Sequence, residues 1–300
     1  MNRLQIICNP QSGRKRGLAL KRRLLSKLQS ASIDCLVTET QFTGHAAEIA
    51  HQADYKSLDG LIVIGGDGTI HEVLNGMLSR KDNQVLPLGI LPGGSGNSLC
   101  VDLGLTDLES AMQVIIEGRT RAIDVACLTV NGNQRFAFNI IGWGLATDIG
   151  VQAEKWRFLG PARYSIVSLL KIAQGVRGRQ ATLTLDGQQM SGAFTMIIAC
   201  NTRYSGTMKI APQAKLNDGK LDVIVVRDGL KRHELFALLR RIYDGSYIQH
   251  AKVEHFLASE ISLLSHEQST LNIDGELDGQ LPLQATVKNQ AIELFHKPEH

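Results

Sequence analysis

The 300-residue chain has no run approaching the ~20 consecutive apolar residues that cross a bilayer, which argues against a spanning helix. Cysteine is scarce: Cys8, Cys35, Cys100, Cys127 and Cys200 form no CxxC pair. Their odd number and apolar neighbours speak against a disulfide framework and for reduced, structural thiols in a cytoplasmic protein. The opening MNRLQIICNP reads as a strand entering a loop, without the apolar core of a signal peptide. Charge of one sign is barely in excess, a net +3. That is too little to argue for a nucleic-acid partner, and it does not oppose an anionic surface. Neither the GxxxxGK(S/T) pattern nor GxGxxG occurs, so the usual mononucleotide and dinucleotide fingerprints are missing. There is no internal repeat, low-complexity tract or long linker either.

What is present is concentrated in two glycine loops. Leu61 to Ile64 is a short apolar run that enters GGDGTIHEVLNG (Gly65 to Gly76), and a helix-forming stretch with Glu72, Val73, Leu74 and Met77 leaves it. Strand, bare turn, helix start: there, consecutive N–H groups and the positive end of the helix dipole face a guest, and glycine lets a phosphate come close. Asp67 stands among the glycines. A carboxylate does not attract phosphate, so it needs a metal or a proton to handle. Val85 to Ile90 reads as a second buried strand, followed by LPGGSGNSL with Gly93, Gly94, Ser95, Gly96 and Asn97. Two such loops after neighbouring strands predict a crevice at the carboxyl edge of a parallel sheet.

With 43% hydrophobic residues the chain can bury two cores. Strands are expected at Leu4 to Cys8, Ile33 to Thr38, Leu61 to Ile64 and Leu86 to Ile90. Helices are expected near Gly17 to Ser30, Gly44 to Gln52, Ile70 to Leu78 and Asp107 to Ile116. This alternation predicts a doubly wound α/β nucleotide-binding domain over residues 1–121. Residues 122–300 read as a β-rich second domain, with the last residues able to return to the first. Its strands are Ala122 to Val130, Arg135 to Ile141, Ala181 to Leu185, Ala193 to Cys200 and Leu221 to Val226, with hairpin turns at Asn131-Gly132 and Asp186-Gly187. Helices near Pro161 to Val176 and Lys231 to Tyr243 interrupt them.

GGDGTIHEVLNG and LPGGSGN resemble the nucleotide-binding motifs of the diacylglycerol kinase catalytic superfamily, which includes sphingosine, ceramide and bacterial soluble lipid kinases. Further motifs follow in order along nearly the whole chain: CNPQSG with Asn9, Pro10, Ser12 and Gly13; Thr40 with Gly44, His45 and Ala46; LNDGKLDV from Leu216; and Asp274-Gly275-Glu276. The resemblance implies the two-domain plan, a β-sandwich-like second domain, nucleotide in a cleft between the domains, and ATP and Mg2+ as cofactors. Phosphoryl transfer needs phosphates and metal held in line with a hydroxyl, and a group to accept its proton. Asp67 matches the aspartate given the proton-accepting role in sphingosine kinases, while Asp274 and Glu276 match acids implicated in bacterial diacylglycerol kinases. Which of the three takes the proton stays open.

The resemblance further places Asn9, Pro10, Ser12, Thr40, Gly65, Gly66, Gly68, Thr69, Glu72, Gly94, Ser95, Gly96 and Asn97 around the nucleotide. Glu72 also suits the first turns of a helix by charge alone; His71 reads as structural or solvent-facing. Asp218, by composition a turn residue, matches a structural Mg2+ ligand, with the carbonyls of Lys215 and Lys220 as helpers. WGLATDIGVQAEKWRFLGPAR (Trp143 to Arg163) resembles, without a gap, the sphingosine kinase segment with two phosphate-contacting arginines and an aspartate that holds the substrate's amine. Arg157 and Arg163 fall on the arginines, and Gly150 falls on the aspartate, with Asp148 two residues earlier. A missing acid favours a neutral lipid over sphingosine.

Apolar residues around Ile166, Val167, Leu169, Leu170 and Ile172 fit an acyl tunnel or bilayer contact and equally a core-facing helix; Leu235, Leu238 and Leu239 pose the same choice. The basic run Arg14, Lys15, Arg16, Lys21, Arg22 and Arg23 reads as a solvated helix face. The expectation is therefore a cytoplasmic lipid kinase with transient peripheral membrane contact, taking a neutral lipid such as diacylglycerol from the membrane surface, with a second copy of the chain as a candidate partner. Alternatives are a sphingosine or ceramide kinase, an NAD kinase-like enzyme, and an inactive nucleotide-binding regulator. The LPGGSGN loop and the match beyond residue 122 weigh against NAD kinase; retention of Asp67, Glu72, Asp274 and Glu276 weighs against lost catalysis.

Overall fold

The computed structural model describes residues 1–94, 96–130, 132–160, 162–267, 269–277 and 279–296, the side chains of Arg14, Lys15 and Arg157 excepted. By internal contacts it divides into unit 1, Met1–Asp124 with Gln290–His300, and unit 2, Val125–Asn289.

Unit 1 alternates β1 (Arg3–Cys8), α1 (Ser12–Lys15), α2 (Gly17–Ser30), β2 (Asp34–Glu39), α3 (His45–Gln52), β3 (Gly60–Gly65), α4 (Asp67–Leu78), β4 (Leu88–Pro92), α5 (Ser98–Asp102) and α6 (Leu108–Glu117). The strands lie parallel in the order β4-β3-β1-β2. Leu61 through Ile64 are fully buried, as expected of a strand covered by helices on both faces. The helices supply that cover with apolar stripes: Leu24 and Leu28 on α2, Ile70, Val73, Leu74 and Met77 on α4. Start and stop of α6 follow from its ends: the Asp107 carboxylate accepts the Ser110 N–H at 2.8 Å, and Gly118 takes the left-handed φ of 68°. Among these elements, the starts of two differ from expectation by two residues or more. β4 begins at Leu88 because Pro87 has no N–H to pair, and α4 begins three residues early, at Asp67, whose charge suits a helix start.

In unit 2 the chain enters through β5 (Thr120–Val130). It continues as β6 (Asn133–Ala137), β7 (Ile140–Gly144), α7 (Leu145–Lys155), α8 (Ala162–Gln174), β8 (Arg179–Leu185), β9 (Gln188–Cys200), the short β10 (Tyr204–Ser205) and β11 (Met208–Lys209), and β12 (Leu221–Arg227). Then come α9 (Arg232–Arg241), β13 (Val253–Ala258), β14 (Glu260–Leu264) and β15 (Asn272–Ile273), and β16 (Leu283–Phe295) carries the chain out. Long β9 organises the unit: β12 runs along one edge, while β8 and β7 share the other, half each. Alternate residues Ala181, Leu183 and Leu185 on β8, Ile261 and Leu263 on β14, and Leu221, Val223 and Val225 on β12 join Trp143 and Phe194 in one core, a sandwich-like arrangement. The opposite face of β12, Ile224 and Val226, packs with Leu238 of α9 and Tyr247.

The Asp186-Gly187 turn has both residues at positive φ, 45° and 83°, and joins β8 to β9 as a two-residue hairpin. Asn131 of the other turn, and Pro161 at the expected helix start, lie outside the described residues. The single strand expected from Arg135 to Ile141 is interrupted after Ala137, because the N–H groups of Phe138, Asn139 and Ile140 turn to the Asp274 carboxylate instead of a ladder. Helices α1, α5 and α7 and strands β10, β11 and β13 to β16 go beyond the elements that the sequence pattern predicts. Among the described residues no helix is long and apolar enough to cross a membrane.

Candidate active site

Three loops of unit 1 interlock at the carboxyl ends of β1, β3 and β4. Asn9 extends β1 by one bond, donating its N–H to Ile64 O at 2.9 Å. Its side chain then serves two loops: Oδ1 accepts the Gln11 N–H at 3.0 Å and Nδ2 donates to Thr69 Oγ1 at 3.2 Å. Gly93 N–H donates to Gly65 O at 2.8 Å. The backbones meet so closely that side chains do not fit: a Cβ on Gly94 would lie 2.5 Å from Gly66 Cα, and one on Gly13 2.1 Å from Gly93 O. Beside Gly93 the Ser12 hydroxyl is buried with no hydrogen-bond partner among the described residues, a costly arrangement unless something fills it. Pro10 is half-buried in the first turn. Asn97, left-handed at φ 49°, accepts the Gly94 N–H and donates to Gly94 O, both at 2.8 Å, which closes the third loop on itself. Gly68 and Gly96 are half-buried in these loops, and Ser95 lies outside the described residues.

Asp67 is half-buried in the first turn of α4, and its carboxylate accepts the Ser98 N–H at 2.9 Å and the Ser98 hydroxyl at 3.0 Å. Two thiols are buried in the elements next to these loops, Cys8 at the end of β1 and Cys100 in α5. Burial pushes Cys100 up to about 12, with the Asp67 charge adding to it, and burial raises Cys8 to about 11. Both stay protonated, so neither is a nucleophile at neutral pH.

Thr40 follows β2, the next strand along, and its N–H donates to Cys8 O at 2.9 Å. Glu72 points elsewhere: its Oε2 accepts the Ala46 N–H at 3.2 Å in the first turn of α3, so it caps and charges a helix start. His71 bonds Asn75 on its own helix. In the basic run, Lys21 pairs with Glu39 and Arg23 with Glu109.

In unit 2 the two late acids part company. Asp274 is 4% exposed and left-handed at φ 55°. Its oxygens accept the N–H groups of Asn139 at 2.8 Å and of Phe138 and Ile140 at 3.0 Å. Glu276, on the same turn, is exposed, with no side-chain bond among the described residues. Asn139 is gripped further by the Thr202 hydroxyl.

Arg163 is half-buried and pairs with Glu154 at 3.2 Å, its Nε buried without a partner among the described residues; the Arg157 side chain lies outside the described residues. Asp148 is clamped by Arg179 through two bonds of 2.9 and 3.0 Å. Gly150, buried in α7, has Leu277 beside it. On α8, Val167 and Ile172 are buried while Leu169 and Leu170 are exposed. Asp218 is exposed in a turn, with Oδ1 accepting the Lys220 N–H at 3.1 Å. No group of three or more His, Cys, Asp or Glu gathers among the described residues.

The pattern of the family described as Diacylglycerol kinase catalytic domain matches residues 3–128, and that of the YegS C-terminal NAD kinase beta sandwich-like domain matches residues 139–296. The diacylglycerol kinase of Staphylococcus carnosus (strain TM300) is 30% identical over 98% of this chain and 94% of its own length. The chain belongs to the diacylglycerol kinase catalytic domain family. Sphingosine kinase 1 of Arabidopsis thaliana is likewise 30% identical, over 92% of this chain and 68% of its own. A crystal structure of a diacylglycerol kinase from Bacillus anthracis str. Sterne shares the fold with a TM-score of 0.74, 22% identity and coverage of 99% and 97%. An NAD kinase from Archaeoglobus fulgidus in complex with ATP shares it more distantly, with a TM-score of 0.51, 12% identity and coverage of 98% and 93%.

Membership makes the protein a kinase and implies ATP as the phosphoryl donor. Two residues of this family kinase, Ser98 and Thr202, are not singled out by the sequence, and Arg179, which the sequence places among the basic residues beside the apolar helix, is instead the partner of Asp148. Ser98 carries a faint local signal, a hydroxyl at the start of a helix after a glycine loop. Thr202 and the pairing of Arg179 carry none, since their partners lie 63 and 31 residues away.

Proposed function

We propose that the protein transfers the γ-phosphate of ATP to a hydroxyl of a neutral lipid at a membrane surface, diacylglycerol or a related lipid alcohol. The observation that carries the phosphate half is the interlocked glycine cradle with the buried Ser12 hydroxyl, unpartnered among the described residues, inside it. Loops packed too closely for side chains offer only amides and hydroxyls, and these groups suit an anion. Asn9 and Thr69 brace the cradle, Asn97 shapes its third loop, and Thr40 lies toward the ribose and base.

Asp67 handles the proton or the metal inside the cradle, kept in one orientation by Ser98. Of the late pair, Asp274 is a positioning residue because three backbone N–H groups already occupy its oxygens, and Glu276 is the rival base because its exposed carboxylate makes no bond among the described residues. Bound Mg2+ would offset phosphate charge, and Asp67 has the hard oxygen that such an ion takes. Asp218 fits a second, structural ion in the same way: one carboxylate oxygen remains beside the turn, with carbonyls of Lys215 and Lys220 to add, and the lack of an acidic cluster leaves the other positions to water. Arg163, committed to Glu154, offers phosphate only its remaining N–H groups.

The lipid half rests on α7 and its neighbours. Both acids of α7 are neutralised, Asp148 by Arg179 and Glu154 by Arg163, and Gly150 offers none. An ammonium brought here would lack a counter-charge. Nearby, Phe158 is 82% exposed, and Tyr164, Leu169, Leu170 and Tyr243 are also exposed; with Lys171, Arg240 and Arg241 they suit peripheral contact with a bilayer. A sphingosine kinase is the second reading, favoured by the Arabidopsis relative's equal identity. The test is incubation of purified protein with labelled ATP and mixed micelles of diacylglycerol, sphingosine or ceramide, beside NAD in solution. Labelled phosphatidic acid is the expected product; label in NAD, or in no acceptor, overturns the reading.

A further inference from the structure

We infer that Phe42, stacked on His45, is the platform for the base of the nucleotide, which it holds by ring stacking and not by reading the base edge. The inference rests on the kinase reading and adds to it a residue and a mode of recognition. In the order β4-β3-β1-β2, the cradle uses the ends of the first three strands, and the Thr40 to Gly44 loop leaves the same edge from the fourth. The bond from Thr40 N–H to Cys8 O keeps that loop in register with the cradle. Neighbouring strands lie ~4.8 Å apart, so a nucleotide with its phosphates over the cradle reaches the end of β2.

A purine base is a flat apolar ring that needs an apolar face. Phe42 is 55% exposed, and among the described residues of unit 1 it is the only large aromatic side chain so exposed. It is also held in place: its ring lies on the His45 ring, centroids 4.6 Å apart and planes 12° apart. His45 is itself oriented, its Nδ1 accepting the Gln41 N–H at 3.1 Å. The pair is therefore ordered before any ligand arrives, so little side-chain entropy is lost on stacking a third ring. Every base has a π-face, so stacking discriminates weakly among bases.

Calorimetric binding of non-hydrolysable ATP and GTP analogues and of inorganic tripolyphosphate to the wild type, Phe42→Ala and Phe42→Trp tests this. Phe42→Ala should weaken both purine analogues by a similar factor, roughly 5- to 100-fold, and leave tripolyphosphate binding unchanged. Phe42→Trp should restore affinity and show nucleotide-dependent quenching absent from the wild type. Unchanged analogue affinity in Phe42→Ala overturns the inference. So does an equal loss for tripolyphosphate, which would mean a disturbed cradle, or a loss confined to vesicle binding, which would place the ring on a bilayer. Lipid phosphorylation by Phe42→Ala at an unchanged KM for ATP overturns the platform and leaves the kinase reading standing. Normal stacking without turnover of any lipid does the reverse.

Discussion

Asp67 and Ser98 are joined twice: one carboxylate accepts both the backbone N–H and the hydroxyl of the serine, at 2.9 and 3.0 Å. The acid that sits among the glycines of one loop thereby fixes the helix start that follows the other. Its orientation is set by the fold before substrate binds.

Asp67→Asn keeps the size of the side chain and removes its charge. Turnover should fall about 10² or more, with the circular dichroism spectrum unchanged. Ser98→Ala keeps the acid and loses the hydroxyl, so a smaller fall is expected. Steady-state kinetics with ATP and diacylglycerol decide it. Near-wild-type kcat in Asp67→Asn, beside collapse in Glu276→Gln, moves the proton to the late acid.

The late acids should separate by readout. Asp274→Asn sets an amide NH2 against backbone N–H donors, and leaving a buried donor unmatched costs about 1–3 kcal/mol. Its melting temperature should drop. Glu276→Gln should melt as the wild type does while turning over more slowly. Loss of stability in Glu276→Gln, with none in Asp274→Asn, would reverse the assignment.

Substrate choice should follow the pairing of Asp148. Wild-type protein should favour diacylglycerol over sphingosine in kcat/KM, measured in the same mixed micelles. Arg179→Gln releases Asp148, and Gly150→Asp adds an acid whose Cβ needs Leu277 to yield from 3.2 Å. Both should shift the ratio toward the amine, provided ATP affinity is intact. A wild type that already prefers sphingosine sinks the neutral-lipid reading.

Added Mg2+ should raise the melting temperature through Asp218, since an ion bound to the native state stabilises it by mass action. Asp218→Ala should melt lower and lose that response. Equal melting with Mg2+ and with chelator, in both proteins, would remove the site.

The buried Cys100 thiol sets an alkaline limit. Cys100 ionises near 9 in an unfolded chain and near 12 when folded, chiefly through burial. Its contribution is whole below about pH 9 and is lost as pH climbs toward 12, because the unfolded state then holds fewer protons. At about pH 10.5 this one thiol should subtract about 2 kcal/mol from the unfolding free energy. Urea titrations at about pH 8 and pH 10.5 should show a shallower loss in Cys100→Ala; an identical loss would clear that thiol.

Periodicity and glycine punctuation in the sequence sufficed for the class of fold. The apolar runs of β1 and β3 and the stripes of α2 and α4 are local patterns, and each forms its element wherever its apolar face finds cover. The phosphate-type loops were legible for the same reason, because GGDGT and PGGSGN carry their turn chemistry in consecutive residues. Tertiary structure alone decided what the polar groups do. Asp274 draws three N–H groups from residues 134 to 136 positions away and breaks a strand that its own pattern would have continued. Glu72 turns to the start of α3, and Arg179 neutralises Asp148 across 31 residues. Hydrogen bonds and ion pairs act over a few ångströms whatever the separation along the chain, so no local pattern could announce them.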